Sequence, residues 1–173
     1  MATTNILIIS DSHGRTESIN RAIELTRPQI ILFCGDGLRD VMYLNPPCPL
    51  YPVRGNCDSF LHGADEIDPE FILPVDGLRL FVTHGHRYDV KYGLEKLTER
   101  AAAVKADAAI FGHTHAPMEK YLPAGNPAET YGIDLKKPLY LFNPGSLASF
   151  RPSFGTLTIR DGVPLFGHNT TDG

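Results

Sequence analysis

The sequence has no apolar run approaching the roughly 20 residues that cross a bilayer. Its first residues, MATTNILIIS, offer neither a charged leader region nor a cleavage site, so a soluble, unexported, cytoplasmic protein is expected. Cysteine is scarce. Cys34, Cys48 and Cys57 are odd in number and irregularly spaced, which argues against a disulfide framework, lacks zinc-finger spacing and suits a reducing compartment. Positive charge is not in excess either: 16 Lys and Arg face 20 Asp and Glu, for a formal charge of -4. Without a basic run to grip a phosphate backbone, a dedicated nucleic-acid-binding module is not expected. No internal repeat, low-complexity tract or linker divides the chain, so its 173 residues read as a single domain over 1–173. A chain of this size buries roughly 70% of its unfolded surface on folding, so it needs no metal merely to fold, and any metal is expected to be functional.

Six short apolar runs are present, each followed by a polar, glycine-rich cluster. Residues 6–9 lead into Ser10-Asp11-Ser12-His13-Gly14, 30–33 into Cys34-Gly35-Asp36-Gly37, and 50–53 into Arg54-Gly55-Asn56-Cys57-Asp58. Further on, 79–82 lead into Thr83-His84-Gly85-His86, 108–111 into Gly112-His113-Thr114-His115, and 139–142 into Asn143-Pro144-Gly145-Ser146. Buried strands followed by functional loops are the natural reading. Ile19, Ala22 and Ile23 before Pro28, and Leu38, Val41 and Met42 before Pro46-Pro47, predict crossover helices. A longer helix is expected after an Asp89 N-cap, with Val90, Leu94, Leu97, Ala101 and Val104 on one face. Strand patterns recur at 118–122, 139–142, 154–159 and 163–166, divided by proline and glycine turns. Residues 123–137 read as a polar hairpin loop, either a lid or simply exposed, and the tail from His168 is expected to fray. The whole is an α/β fold mixing βαβ units with hairpins.

In α/β sheets, ligands collect at the carboxyl ends of strands, where this chain places its Asp, Asn and His residues. Asp11 and His13 are two apart, as are His113 and His115; in an extended segment each pair points to one side and can chelate. With Asp36, Asn56 and His84 they make seven oxygen and nitrogen donors without thiolate, a set suited to manganese, iron(II) or zinc rather than calcium or copper(I). Seven donors exceed the needs of one catalytic ion. Two ions about 3.5 to 4 Å apart, bridged by one carboxylate, can hold a hydroxide and bind both oxygens of a phosphoryl displacement. Asp36, after a glycine at the end of an expected central strand, is the candidate bridge.

The ordered set D-x-H, G-D, G-N, H and G-H-x-H resembles the calcineurin-like metallophosphoesterase superfamily. Gly-Asn-Cys-Asp at 55–58 and Asn-Pro-Gly-Ser at 143–146 bring the chain closest to its small YfcE/MJ0936-like phosphodiesterase family. The resemblance implies a four-layer αββα sandwich, two mixed sheets flanked by helices, with two divalent ions, manganese foremost and zinc, iron(II) or nickel as alternatives. It also implies Asp11, His13, Asp36 and His115 around one ion and Asp36, Asn56, His84 and His113 around the other. The implied activity is hydrolysis of a small phosphodiester by in-line attack of a metal-bound hydroxide, with monoesters not excluded. Many superfamily members have His directly after the Asn ligand, where this chain has Cys57, as the YfcE-like group does. A thiol of pKa about 8.5 is a poor replacement for imidazole, which leaves the general acid unassigned.

Each motif also has a plain reading. Asp11-Ser12-His13 alone suits a turn or helix cap, as does His113-x-His115; their recurrence at successive strand ends favours a metal site. His86 either acts near the metals or orients its loop by a hydrogen bond. His62 and His168 are expected to be solvated, Cys34 to be a small buried strand residue, and Cys48 has no assignable chemistry. Asn143-Pro144-Gly145-Ser146 reads as a turn in preference to a phosphate-binding nest. Arg15, Arg54 and Arg151 flank motif loops and either meet substrate phosphate or water. The alternative to an enzyme is a metal-binding scaffold or protein-interaction module of the same fold, as in the retromer subunit; the complete ligand set argues against it. A metallo-β-lactamase-like hydrolase needs His-x-His-x-Asp-His, which Gly112-His113-Thr114-His115-Ala116-Pro117 does not supply. The expected partner is a small phosphate ester, without nucleic acid or membrane, and a homo-oligomer is compatible with the chain.

Overall fold

The computed structural model of the protein describes residues 3–171. In chain order the main elements are β1 (Thr3–Ile9), α1 (Thr16–Thr26), β2 (Ile30–Phe33), α2 (Leu38–Met42), β3 (Leu50–Pro52), β4 (Glu70–Val75), β5 (Leu78–Thr83), α3 (Glu95–Ala103), β6 (Ala108–Ile110), β7 (Met118–Leu122), β8 (Leu139–Asn143), β9 (Ser153–Arg160) and β10 (Val163–Thr170). They form two five-stranded mixed sheets, ordered β10-β9-β1-β2-β3 and β4-β5-β6-β8-β7. Strands β1, β2 and β3 run parallel, as do β5, β6 and β8, while the outer strands pair antiparallel.

The apolar runs are continuous because both faces of each central strand are covered. Successive side chains alternate across a strand, so Ile6 and Ile8 enter the core between the sheets and Leu7 and Ile9 the core under α1 and α2. From the other sheet, Leu80, Val82, Ala108, Ile110 and Phe142 meet Ile6, Ile8 and Leu32. Phe81, Ala109 and Leu141 face outward onto Leu97 and Ala101 of α3. Helix, sheet, sheet and helix are thus four layers with three apolar interfaces. Each fully buried large side chain contributes roughly 1.5–3 kcal/mol.

Helix α1 follows the Ile19/Ala22 spacing and stops where Arg27 turns left-handed (φ 44) just before Pro28. The expected long helix is shorter: Asp89 closes a 3-10 turn at His86–Tyr88 with φ 53 instead of capping a helix, and α3 starts at Glu95. Gly93 lies in the intervening turns, although Val90 still packs against α3's core. Strand β4 is absent from the expected elements because Pro74 interrupts its pattern; the proline is exposed on an edge strand, where its missing N–H costs no ladder bond. Strand β10 extends to Thr170, so the described part of the expected fraying tail is ordered by pairing with β9, and residues 172–173 lie outside the described residues. His168, expected to be solvated, stacks on Phe142 at 4.5 Å and bonds the Asn143 carbonyl through Nε2 at 2.7 Å. His62 is exposed, Cys34 is buried, and Cys48 packs half-buried under β3.

Residues 123–137 join β7 to β8 as a hairpin connection, yet they are neither a lid nor simply exposed. Thr130 and Leu135 are buried in the layer under α3. The register Leu122↔Leu139 and Met118↔Asn143 puts this loop at the amino end of β8, away from the strand ends that carry the candidate ligands. A cavity of about 480 Å³ between the loop and the end of α3 shares that distant position.

Candidate metal centre

The carboxyl ends of β1, β2, β3, β5 and β6 lie together because these strands are parallel within their sheets and the sheets pack face to face. The loops leaving them bring the seven expected ligands to one place. Asp11 is fully buried; its Oδ2 accepts hydrogen bonds from Ser10 Oγ (2.5 Å) and the His113 N–H (3.0 Å). Its Oδ1 is buried with no hydrogen-bond partner among the described residues and lies 3.1 Å from His115 Nε2 and 3.8 Å from His13 Nε2. A buried carboxylate oxygen that makes no hydrogen bond and is faced by two imidazole nitrogens is a donor set that a divalent cation would satisfy. Asp11, His13 and His115 therefore suit a metal ion on an observation of geometry.

The second half centres on fully buried His84. Its Nδ1 donates to the Cys34 carbonyl at 2.6 Å, which fixes the tautomer and turns Nε2 toward Asp36 Oδ2 (3.3 Å), Asn56 Oδ1 (3.2 Å) and His113 Nδ1 (3.2 Å). The ligand atoms of Asp36, His84 and His113 lie within 4.8 Å of one another, as do those of Asp11, His13 and His115. A third such group, His13, Asp36 and Cys57, straddles the two halves and brings in a thiol that the sequence reading had not counted among the donors.

Charge follows this arrangement. Burial alone would raise the Asp36 carboxyl, but its hydrogen bond and attraction to His84, with the Cys57 N–H on Oδ1 at 2.8 Å, hold it well below the usual range. For His84, burial opposes the charged ring, yet the Asp36 bond and the Asp11 and Asp36 charges raise its pKa. His113 is lowered to about 4, by burial first and then by His84 and Lys91, so it is a neutral ring at pH 7. Partial burial and the Asp36, Asp58 and Asp11 carboxylates push the Cys57 thiol up to about 11. It is a protonated thiol near neutrality.

Local backbone is specialised to this purpose. Asp11, His13, Asp36, His113 and His115 all have positive φ, between 41° and 68°, a region costly for residues with a Cβ and tolerated where surroundings over-determine it. Gly112 is required for close approach: a Cβ there would sit 2.0 Å from Ser10 Oγ and 2.7 Å from Asp11 Oδ2. At Gly35 (φ 91) a Cβ would press on the Gly55 backbone and on His84 Nδ1.

Two positioning residues, Asp58 and Asp40, had no assigned role from sequence. Asp58, 5% exposed, accepts four backbone N–H bonds at 2.8–2.9 Å: Gly37 and Leu38 on Oδ1, Asp36 and Gly55 on Oδ2. It ties the Asp36 loop to the Asn56 loop; its place two residues after Asn56, at the end of Gly-Asn-Cys-Asp, was the available signal. Asp40 accepts from Ser12 Oγ and the Gly14 N–H, holding the loop that carries Asp11 and His13. Asn143 donates to the Gly112 carbonyl and Thr114 Oγ1, and Ser146 Oγ donates to the Asp11 carbonyl, so the 143–146 segment acts as a structural clasp on two ligand loops. His86 is half-buried beside His84, ring centroids 5.3 Å apart; its Nδ1 is buried without a partner, and burial, then the His84 charge, lowers its pKa. Arg54 reaches Asp65 at 2.8 Å, whereas Arg15 and Arg151 are exposed.

Both the sequence and the fold have known relatives. The calcineurin-like phosphoesterase superfamily domain matches residues 4–162. YsnB of Bacillus subtilis, named a probable metallophosphoesterase, is 30% identical over 146 residues, covering 83% of this chain and 75% of its own. The phosphodiesterase MJ0936 of Methanocaldococcus jannaschii is 29% identical over 127 residues, 62% of this chain and 71% of its own. In fold, a Streptococcus pneumoniae protein described as a predicted phosphoesterase superposes over 99% of this chain and 92% of its own with a TM-score of 0.71 and 21% identity. Vacuolar protein sorting 29 of Cryptosporidium parvum covers 97% of both chains at a TM-score of 0.67 and 16% identity. With a family match over nearly its whole length, two five-stranded sheets and clusters of side chains able to hold a metal at the carboxyl ends of their strands, the chain belongs to the calcineurin-like phosphoesterase superfamily.

Proposed function

We propose that the protein is a dinuclear metal-dependent phosphodiesterase acting on a small, accessible phosphodiester. The observation that carries this reading is the unpartnered Asp11 Oδ1 between two imidazoles, beside a second cluster whose carboxylate, Asp36, stands between the halves. Asp11, His13, Asp36 and His115 would hold one divalent ion and Asp36, Asn56, His84 and His113 the other, with manganese, zinc, iron(II) and nickel all compatible with the donors. When bound, such ions neutralise phosphate charge and make water nucleophilic at neutral pH. The chain's own contribution is placement. His84 is oriented by the Cys34 carbonyl, Asp36 by the Cys57 N–H, the Asp36 and Asn56 loops by Asp58, and the loop carrying His113 and His115 by Asn143.

The diester preference draws support from MJ0936, which bears the name phosphodiesterase. Cys57, protonated at neutral pH and within 4.8 Å of His13 and Asp36 at the ligand atoms, is positioned to give a proton to a leaving oxygen, though less readily than imidazole. The likeness to vacuolar protein sorting 29 favours a second reading, a scaffold without turnover. No helix among the described residues is long and apolar enough to cross a membrane; the cytoplasmic location is proposed on the scarce, irregularly spaced cysteines.

The test is to strip the protein with chelator, return each metal while counting bound ions, and assay p-nitrophenyl phosphate against bis-p-nitrophenyl phosphate. Diester turnover that grows with the second equivalent is the expected result. Two bound ions with no cleavage of either ester would support the scaffold, and absence of metal binding would refute the ligand assignment.

A further inference from the structure

We infer that the site takes an unsymmetrical phosphodiester, one arm flat and apolar, the other bearing an additional anionic group. This inference rests on the phosphodiesterase reading and extends it to the substrate's two arms. The candidate ligands are flanked by two clefts of different chemistry. The first, about 580 Å³, begins at Gly55 and His86 and continues between Arg54, Arg87 and Ser59. His86 places its mouth beside the second metal cluster, with ring centroids 5.3 Å from His84 and 6.1 Å from His113. The second, about 330 Å³, begins at His13 and Cys57 and runs out along Phe60 and Leu61. A phosphate held at the ligands would direct one ester arm into each.

Their charge differs in sign. Two arginines face one aspartate, Asp65, in the first cleft; Arg39 faces Asp40 and Asp58 in the second, and both of those carboxylates are already engaged by the loops they hold. Arg54 donates to the Ala64 carbonyl (3.3 Å) and to Asp65 (2.8 Å), and Asp65, with a side chain 98% exposed, is a weak surface partner that an incoming anion can displace. A phosphate or carboxylate between Arg54 and Arg87 would gain charge-assisted bonds in a more enclosed place. His86 adds a buried ring nitrogen, Nδ1, that no group among the described residues satisfies. In the opposite cleft Phe60 is 97% exposed on the short 3-10 turn that directly follows Asn56, a flat apolar face with no packing role of its own. Stacking of an aromatic or nucleobase-like arm gives that exposure a use.

Two esters that differ by one group test the idea: thymidine 5′-(p-nitrophenyl phosphate) and the same molecule carrying a 3′-phosphate. In both, the nitrophenyl ring is the flat arm, and only the second has the anionic one. The metal-loaded protein is expected to favour the 3′-phosphorylated ester by roughly tenfold or more in kcat/KM, through KM, as one charge-assisted contact would give. Arg87→Ala, an exposed position tolerant of change, and Arg54→Ala should bring the two esters to within about twofold of each other, while Lys136→Ala at the far end of the sheets retains the preference. Phe60→Ala should raise KM for both esters alike. Calorimetry with thymidine 3′,5′-bisphosphate against thymidine 5′-monophosphate provides a readout without turnover, and the bisphosphate should bind more tightly in the wild type but not in Arg87→Ala. Equal kinetics and equal binding for the two members of each pair, or a preference that survives both arginine variants, would overturn the inference. Cleavage of neither ester with any metal would defeat the phosphodiesterase reading instead, and the calorimetric pair alone would then decide whether the arginine cleft receives an anion.

Discussion

Removing the Asp58 carboxylate should damage this protein more than its place outside the ligand set suggests. The side chain is 5% exposed and accepts four backbone N–H bonds, from Asp36, Gly37, Leu38 and Gly55, each at 2.8–2.9 Å. Hydrogen bonds to a charged group contribute roughly 1.5–3 kcal/mol each, but four donors sharing one carboxylate are not additive, and water would enter the space left by Asp58→Ala. A loss of about 3–5 kcal/mol is the reasonable expectation, in the range for deleting one partner of a buried charged network. In a chain of this length that lowers Tm by roughly 6–20 °C. Asp58→Asn keeps the shape and one acceptor oxygen but turns an NH₂ toward two N–H donors, so it should lose a comparable amount rather than half. Because the same bonds fix the Asp36 and Asn56 loops, metal affinity should also fall by about 10–100-fold in whichever variant still folds. Urea unfolding of the metal-free proteins, followed by metal titration at a temperature where the variants are folded, measures both effects. A loss below about 1 kcal/mol with unchanged metal affinity would refute the view that Asp58 joins the two loops.

Asp36→Asn should abolish esterase activity and weaken both metal sites, since a shared negative charge disappears; metal counting after dialysis checks it, and two ions retained at wild-type affinity would remove Asp36 from the bridging role. Cys57→His should speed hydrolysis of esters with poor leaving groups more than p-nitrophenyl esters if proton donation limits turnover, and a uniform rate change across leaving groups would mean that it does not. The metal-free protein should lose stability as the pH falls from about 6.5 toward 4: His113 holds its proton less tightly when folded than when unfolded, so its contribution is complete above the ordinary imidazole value and disappears below it. His84 has the opposite sign, contributing at low pH and losing that contribution as pH rises through its elevated value. Urea midpoints between pH 4.5 and 8, compared with His113→Gln, should show a flatter acid limb in the variant.

The strands and the ligand loops were legible in sequence because each apolar run ends where its chemistry begins. Ile6–Leu7–Ile8–Ile9 followed by Asp11 is readable without knowing the partner strand, since both faces of β1 are buried. Strand β4 was hidden by Pro74, although the Asp76-Gly77 pair before Leu78 is the signal of a two-residue hairpin; both residues have the positive φ such turns require. The start of α3 was misjudged because Val90 and Leu94 do face its core, but as turn residues, and periodicity alone does not separate the two cases. Asp58 and Asp40 were not assigned from sequence for a different reason, and only the place of Asp58 at the end of Gly-Asn-Cys-Asp hinted at a role. Their partners are mostly backbone N–H groups brought near by folding, and a backbone donor leaves no mark in the residue pattern.

The left-handed backbone at five of the seven candidate ligands sets a limit on how stable this fold can become while keeping its site. At roughly 1–2 kcal/mol per residue, Asp11, His13, Asp36, His113 and His115 together carry about 5–10 kcal/mol of conformational strain, comparable to the whole net stability of an ordinary domain. Drift toward thermostability therefore has an easy direction here, replacement of a ligand by glycine, and each such step removes a donor. A lineage released from turnover would be expected to take that direction early. That all seven positions still carry groups able to bind metal marks them as the expensive part of this sequence to retain.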